Sequence, residues 1–256
     1  MTDQISVVIP AYESDHLVRR ALDSVIAQQG VEAEIIVTDD SASPRISDLT
    51  RAIAVRHGAV RWIPGPRSGV AAENWNHGLG QARYSAKVLL HQDEHYVDRW
   101  FLRRALDALA RPGVAAAAGG VQVTGVTRGS RFAMVAPLRH VPGAKALLPI
   151  INWLGPTGAF VFKGDHLFDT GLVQLVDVEF YSRVLRHGRL APLAGVSVAS
   201  LGHHADSITA RIDGRALAVA ELERLAAGPA PAISRWRRAV FLAALKTRGL
   251  WTRAST

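Results

Sequence analysis

The run HQDEH, His91–His95, puts two adjacent acids and two histidines directly after the apolar stretch Val88-Leu89-Leu90. Carboxylates at the mouth of a core strand suit a divalent cation such as Mg²⁺ or Mn²⁺. A second acidic pair, Asp39 and Asp40, closes another apolar run, and a third run, Ile5–Pro10, leads into Ala11, Tyr12 and Glu13. Each feature also has a structural reading. Asp93 and Glu94 could sit in a solvated loop that caps a helix from Asp98. Asp39 and Asp40 could start a turn with Ser41 and Ser43. Tyr12 could bury its ring in packing. His91 and His95 read as structural, and Glu179 with Arg183, at i,i+4 spacing, as a helix-surface ion pair.

The elements that would position these groups alternate in period. Strands are expected at Ile5–Pro10, Ala33–Asp40, Val60–Pro64 and Lys87–His91. Between them lie helical patterns, the first with Ser14 or Asp15 as N-cap and Leu17, Ala21, Leu22, Val25 and Ile26 on one face. The third, around Ala71–Gly80, is weakened by Gly78 and Gly80. Such alternation argues an α/β fold, a mostly parallel sheet with helices on both faces. Right-handed crossovers then gather the strand C-termini on one edge, where such sheets bind ligands. The three acidic strand ends would converge there. Further on, Phe132–Leu138 reads as extended, Gly158–Asp165 as a strand into a turn, and Val176–Gly188 as a helix. Neither G-x-G-x-x-G after the first strand nor a P-loop sequence is present, which disfavours both nucleotide motifs.

Composition narrows the class. Of 256 residues, 48 % are hydrophobic and none is cysteine, so a disulfide framework, a thiolate zinc site and a cysteine nucleophile are excluded. No run has the length of a membrane span or a signal sequence, from which a cytoplasmic location is expected. The net charge is +8, yet Arg235, Arg237, Arg238, Lys246, Arg248 and Arg253 lie in a last stretch without an acid. The body is therefore close to balanced, and a nucleic-acid partner is not expected. After a linker from Ala226, Trp236, Val240, Phe241, Ala244 and Leu245 would share one helix face. Such a helix suits either docking on the body or peripheral contact with an anionic membrane.

Taken together, ISVVIPAYESDHLVRRALDSVIAQ, EIIVTDDSAS, SGVAAENWNHGLGQARYSAKVLLHQDEHY and GPTGAFVFKGDHLFDTGL…VDVEFYSRVLRHG resemble the ordered motifs of family 2 inverting glycosyltransferases with the GT-A fold, over roughly residues 5–210. The resemblance implies a GT-A domain over 1–225, with a nucleotide-sugar half at 1–97 and an acceptor half at 98–225, followed by the tail 226–256. It implies transfer of a sugar from a nucleotide-diphosphate donor, most commonly a UDP-sugar, to a glycan or lipid-linked hydroxyl. Pro10, Ala11, Tyr12 and Glu13 would line the base pocket, and Asp40, with Asp39 its neighbour, would accept from the base. Asp93 would hold the ribose or the metal, and Glu94 stands where the family's metal-binding Asp is usual. Asp177 would be the general base. Trp153, Gly155, His203 and His204 are candidate acceptor or diphosphate contacts, although Trp153, like Trp75 and Trp100, reads first as core and is only the best placed of the three to serve as a sugar platform. Processive relatives carry Q-x-x-R-W and membrane spans; here AISRW has Ala232 in place of Gln, which implies single additions. The alternatives are a catalytically degenerate nucleotide-sugar binder and a basic membrane-surface or nucleic-acid-binding protein. A sugar-phosphate nucleotidyltransferase would need a Gly-rich, Arg-containing loop after the first strand, and AYESDH is not one.

Overall fold

The computed structural model describes residues 3–124, 136–141, 144–148, 152–201 and 214–227. The chain opens with β1 (Gln4–Ala11), α1 (Asp15–Ile26), β2 (Glu32–Asp39), α2 (Arg45–Ala54), β3 (Val60–Pro64), α3 (Ala71–Gly80) and β4 (Ala86–Leu89). It continues with β5 (Glu94–Tyr96), α4 (Phe101–Leu109), β6 (Val114–Thr124), β7 (Phe160–Lys163), α5 (Val176–Val184), β8 (Arg189–Leu201) and α6 (Gly214–Ala227). The strands form one sheet in the order β3-β2-β1-β4-β7-β6-β8-β5.

The first four strands are parallel, β1 lying between β2 and β4, so their C-terminal ends share one edge as the alternation implies. β7 runs antiparallel to both β4 and β6, and β6 and β8 pair in parallel through register shifts. β5 pairs antiparallel with β8 at the far end of the order. Three strands separate β5 from β4, about 19 Å at the usual inter-strand spacing. The chain from Leu89 to Glu94 reaches at most about 18 Å even when fully extended. The sheet must curl, and the curl brings β5 and β8 round to the ends of the parallel strands. A backbone bond from Leu201 N–H to the Asp93 carbonyl, 3.0 Å, fastens that closure.

Helices cover both faces. Ile5, Val7, Ile9 and Val88 meet α1 and α4 on one side, while Val8, Ile36 and Leu89 meet α3 and the Phe160–Phe180–Tyr181 cluster on the other. Gly78 strengthens the α3 contact, because a Cβ there would collide with Val8 and Thr38 on the sheet below.

Several expectations are corrected. Ala136–His140 is a 3₁₀ helix, not extended chain. α4 starts at Phe101, after Asp98 accepts from the Trp100 N–H at 2.9 Å. Trp100 is 51 % exposed, not core. α6 runs through Ala226 to Ala227, where a linker was expected to begin. The rest of the tail, 228–256, lies outside the described residues, as do His203 and His204. Among the described residues no helix is long and apolar enough to cross a membrane.

Candidate active site

At the ends of β1 and β2 two loops interlock through side chain–backbone bonds. The Glu13 N–H donates to Ser41 Oγ at 2.8 Å, and the Glu13 carboxylate accepts from the Ala42 N–H at 2.7 Å and Ser43 Oγ at 3.1 Å. The Ala42 bond is the main reason its carboxyl is held below the usual range. Glu13 occupies the left-handed region at φ 54°, an unfavourable conformation for this residue type that the clasp holds in place. Asp39 is buried, accepting from the Ser41 N–H at 2.9 Å and Trp62 Nε1 at 3.0 Å. Asp39 thus builds the turn, and Asp40 is the carboxylate at the more open position, accepting from the Arg67 N–H at 2.9 Å. Gly65 makes room for Asp40, since a Cβ there would overlap its carboxylate.

Pro10 and Ala11 are buried at the end of β1, and Tyr12 beyond them is 60 % exposed. The main chain of Tyr12 is gripped from the β4 side. Gln92 Oε1 accepts from its N–H at 2.8 Å, and Gln92 Nε2 donates to its carbonyl at 3.1 Å. Gln92 therefore continues the β1–β4 pairing with a side chain after the strands end, and presents the ring of Tyr12 at the mouth of the crevice.

Within HQDEH the side chains divide. Glu94 is 1 % exposed, and its Oε2 accepts from the Gly158 N–H at 2.8 Å while Oε1 meets His91 Nδ1 at 3.2 Å. Gly158 is required there, because a Cβ would overlap the Glu94 carboxylate. His91 packs on Trp75 at a centroid separation of 4.8 Å, and its Nε2 is buried without a partner. His91, Asp93 and Glu94 each offer one ligand atom within 4.8 Å of the others, a donor set able to hold a metal ion. His91 is thus a component of the site that the sequence reading assigned to structure. Asp39, conversely, is committed to its turn. Glu94 faces inward and shares its carboxylate with protein partners.

Asp177 lies in the first turn of α5, and its Oδ1 is buried with no hydrogen-bond partner. Burial raises its carboxyl above the usual range, against the opposing pull of the His91 charge. Burial likewise raises Glu94, again opposed by His91. For His91, burial works against the imidazolium, but the carboxylates of Glu94, Asp177 and Asp93 outweigh it and push the group up to about 9. Three acids and one histidine therefore share a field at the closure of the sheet. The i,i+4 pair of Glu179 and Arg183 forms as expected, with Nε to Oε1 at 2.8 Å.

The acceptor-side candidates differ in placement. Gly155, at φ 83°, accepts from the Tyr181 hydroxyl at 3.0 Å and so anchors α5 one turn beyond Asp177. Trp153 is 1 % exposed, and its Nε1 donates to the Ala144 carbonyl at 3.2 Å. It is a core residue, as its first reading had it, with no face to offer a sugar.

Known proteins share this architecture. A Pyrobaculum calidifontis mannosyltransferase, PcManGT, solved with GDP-Man and Mn²⁺, superposes with a TM-score of 0.65 at 20 % identity, covering 89 % of this chain and 66 % of that one. S. aureus TarS 1-349, solved with UDP-GlcNAc, gives a TM-score of 0.68 at 13 % identity, covering 94 % and 72 %. These likenesses show the GT-A fold. Uncharacterized protein MT1568 of Mycobacterium tuberculosis (strain CDC 1551 / Oshkosh) is 30 % identical over 203 residues, 71 % of this chain. The chain spans 61 % of that relative's length. The Glycosyl transferase family 2 profile matches residues 6–164, more than half of the sequence and every donor-side strand end described above, and the chain belongs to that family.

Proposed function

We propose that the protein is a non-processive inverting glycosyltransferase, moving a sugar from a nucleoside diphosphate sugar, a UDP-sugar first among the candidates, to a hydroxyl acceptor in glycan or glycolipid synthesis. The observation that carries this reading is the pairing of two unlike carboxylate environments at one sheet edge. Asp40 and Asp93 stand at open strand ends, where a nucleotide would lie. Asp177 holds a buried, unpartnered oxygen and a raised carboxyl, close enough to His91 for their charges to interact.

In this reading Tyr12 stacks on the base and Asp40 accepts from it, with the Glu13 clasp fixing the distance between their loops. The donor set of His91, Asp93 and Glu94 fits a divalent cation, one imidazole and two carboxylates being hard to borderline donors. When bound, Mg²⁺ or Mn²⁺ would neutralise the leaving diphosphate. The two hydrogen bonds of Glu94 would compete with such an ion, which leaves Asp93 as the principal carboxylate. Asp177 takes the proton of the acceptor hydroxyl; its raised carboxyl brings it nearer in proton affinity to a group working at neutral pH. Attack from the face opposite the diphosphate inverts the anomeric carbon. PcManGT with GDP-Man and Mn²⁺, and TarS with UDP-GlcNAc, support a donor of this class on this fold.

The test is a thermal-shift screen of UDP, GDP and dTDP with Mg²⁺ or Mn²⁺, since a ligand that binds only the folded state raises its apparent stability. One diphosphate should stabilise wild type when metal is present, and Asp93→Asn should lose that increment. A protein that no diphosphate stabilises, with or without metal, would defeat the reading.

A further inference from the structure

Oδ1 of Asp177 is buried without a partner, so the placement of that oxygen depends on the helix that carries it. The known anchors of α5 act mainly on its second half. Phe180 stacks on Phe168 at 4.0 Å, the Tyr181 hydroxyl reaches the Gly155 carbonyl, and Arg183 reaches the Leu167 carbonyl at 2.6 Å. These fix the axis and the far end. The first turn, where Asp177 sits, is held by something else.

That holder is Glu221, on α6. Its carboxylate is 4 % exposed and accepts from three consecutive backbone N–H groups: Val173 at 2.6 Å, Gln174 at 3.0 and 3.2 Å, and Leu175 at 2.8 Å. Leu175 is the N-cap of α5, two residues before Asp177. The N-cap's own side chain is aliphatic and cannot cap; Glu221 instead holds the N–H of the N-cap residue and of the two loop residues that lead into it. An ionised carboxylate on several N–H groups is a strong, directional restraint. A small apolar cluster of Leu175, Val178, Ala218 and Leu222 seals the same contact. Nearby, Arg224 pairs with Asp169 at 2.8 Å, a half-exposed bridge that grips the preceding loop. Gly171 gives that guanidinium its room.

We infer that Glu221 is a positioning residue for the reaction: by clasping the N–H groups of residues 173–175 it sets the first turn of α5, and through it the placement of Asp177 against the acceptor. The inference rests on the reading of Asp177 as general base. Through Glu221, α6 is thereby tied to the placement of the site. The donor cradle, built from the ends of β1, β2 and β4, does not depend on this clasp, so the two should separate experimentally.

The experiment compares the full chain with Glu221→Ala, Glu221→Gln, Arg224→Ala and Asp177→Asn. Turnover is read as UDP or GDP release from a panel of nucleotide sugars with Mn²⁺, nucleotide affinity by calorimetry, and local order by hydrogen exchange. Glu221→Ala should lower kcat by about 10²-fold, the scale of a misplaced catalytic group, while nucleotide Kd stays within about twofold. The amides of residues 173–175 should lose protection. Glu221→Gln, whose carbonyl keeps part of the acceptor capacity but whose NH₂ faces the donors, should fall between Glu221→Ala and wild type. Arg224→Ala should stay within about twofold in kcat. Unchanged kcat in Glu221→Ala, alongside an inactive Asp177→Asn, would overturn the positioning role alone. Full activity in Asp177→Asn would overturn the base reading first, and the positioning role with it. Nucleotide affinity falling in step with kcat would reduce Glu221 to a general structural role and overturn the inference. If no sugar in the panel is turned over, hydrogen exchange decides: wild-type protection at 173–175 in Glu221→Ala overturns it, and loss extending into Asp177 supports it.

Discussion

The loops after β1 and β2 and the first turn of α5 both carry acids at the crevice, yet they treat them in opposite ways. Glu13, Asp39 and Asp40 each accept bonds from backbone or side-chain donors, and the bond to Ala42 leads in holding Glu13 low. Asp177 keeps an oxygen buried without a partner, His91 keeps Nε2 likewise, and burial raises the Asp177 carboxyl. A carboxylate that accepts such bonds helps to fix its loop. An unsatisfied, desolvated one is costly to keep, and such groups concentrate where chemistry is done. On the proposed reading, this difference separates cradle from catalyst among residues of the same type.

Two substitutions on the satisfied side sharpen the comparison. Tyr12→Ala removes an exposed ring whose main chain is held independently by Gln92. It should weaken nucleotide binding by about 1–3 kcal/mol, the range for aromatic–base stacking. Thermal stability without nucleotide should be unchanged. Calorimetric titration with the diphosphate found in the screen checks this; unaltered affinity would remove Tyr12 from the cradle.

A smaller effect is expected far from the crevice, at Glu34. It is buried and accepts from Ser6 Oγ, the Arg83 N–H and Arg83 Nε, the last at 2.9 Å. Burial alone would raise its carboxyl, but these bonds outweigh it and the folded value lies below the 4.5 of an unperturbed group. A depressed folded value means stability that is fully present above the unfolded value and lost as pH falls through the folded one. Glu34→Gln should therefore cost about 1 kcal/mol at pH 7, with a shrinking difference from wild type below pH 4.5. Urea midpoints across pH measure it, and a gap that widened on acidification would refute the assignment.

Much of this was legible in the sequence. Four apolar runs alternating with helical patterns specified the parallel half of the sheet, and the polar residues at their ends marked the crevice, because period and strand-end chemistry are local signals. The features that escaped notice depend on distant partners. β5 is a three-residue strand without a pattern of its own, formed because β8 curls round to meet it. His91 looks like any loop histidine until Asp177, from α5, joins its chain neighbours Asp93 and Glu94 around it. Gln92 reads as a solvated polar residue, and only the end of the β1–β4 ladder gives it two backbone partners. Glu221 sits in an ordinary-looking helix; its importance comes from three N–H groups 46 to 48 residues earlier in the chain. For Trp153, beside a glycine loop, the core reading is decided against a sugar platform only by its burial.

The contrast between cradle and catalyst is tested most directly by Asp177→Asn. One preparation is measured twice, for diphosphate affinity with Mn²⁺ and for turnover of the matching nucleotide sugar. The asparagine is nearly isosteric and removes the base while leaving Tyr12, Asp40 and Asp93 in place. Turnover should fall by about 10²–10⁴-fold, the usual cost of losing a general base, with affinity within about twofold of wild type. Undiminished turnover, or a loss confined to nucleotide affinity, would contradict the assignment of the unsatisfied carboxylate as the group that does the chemistry.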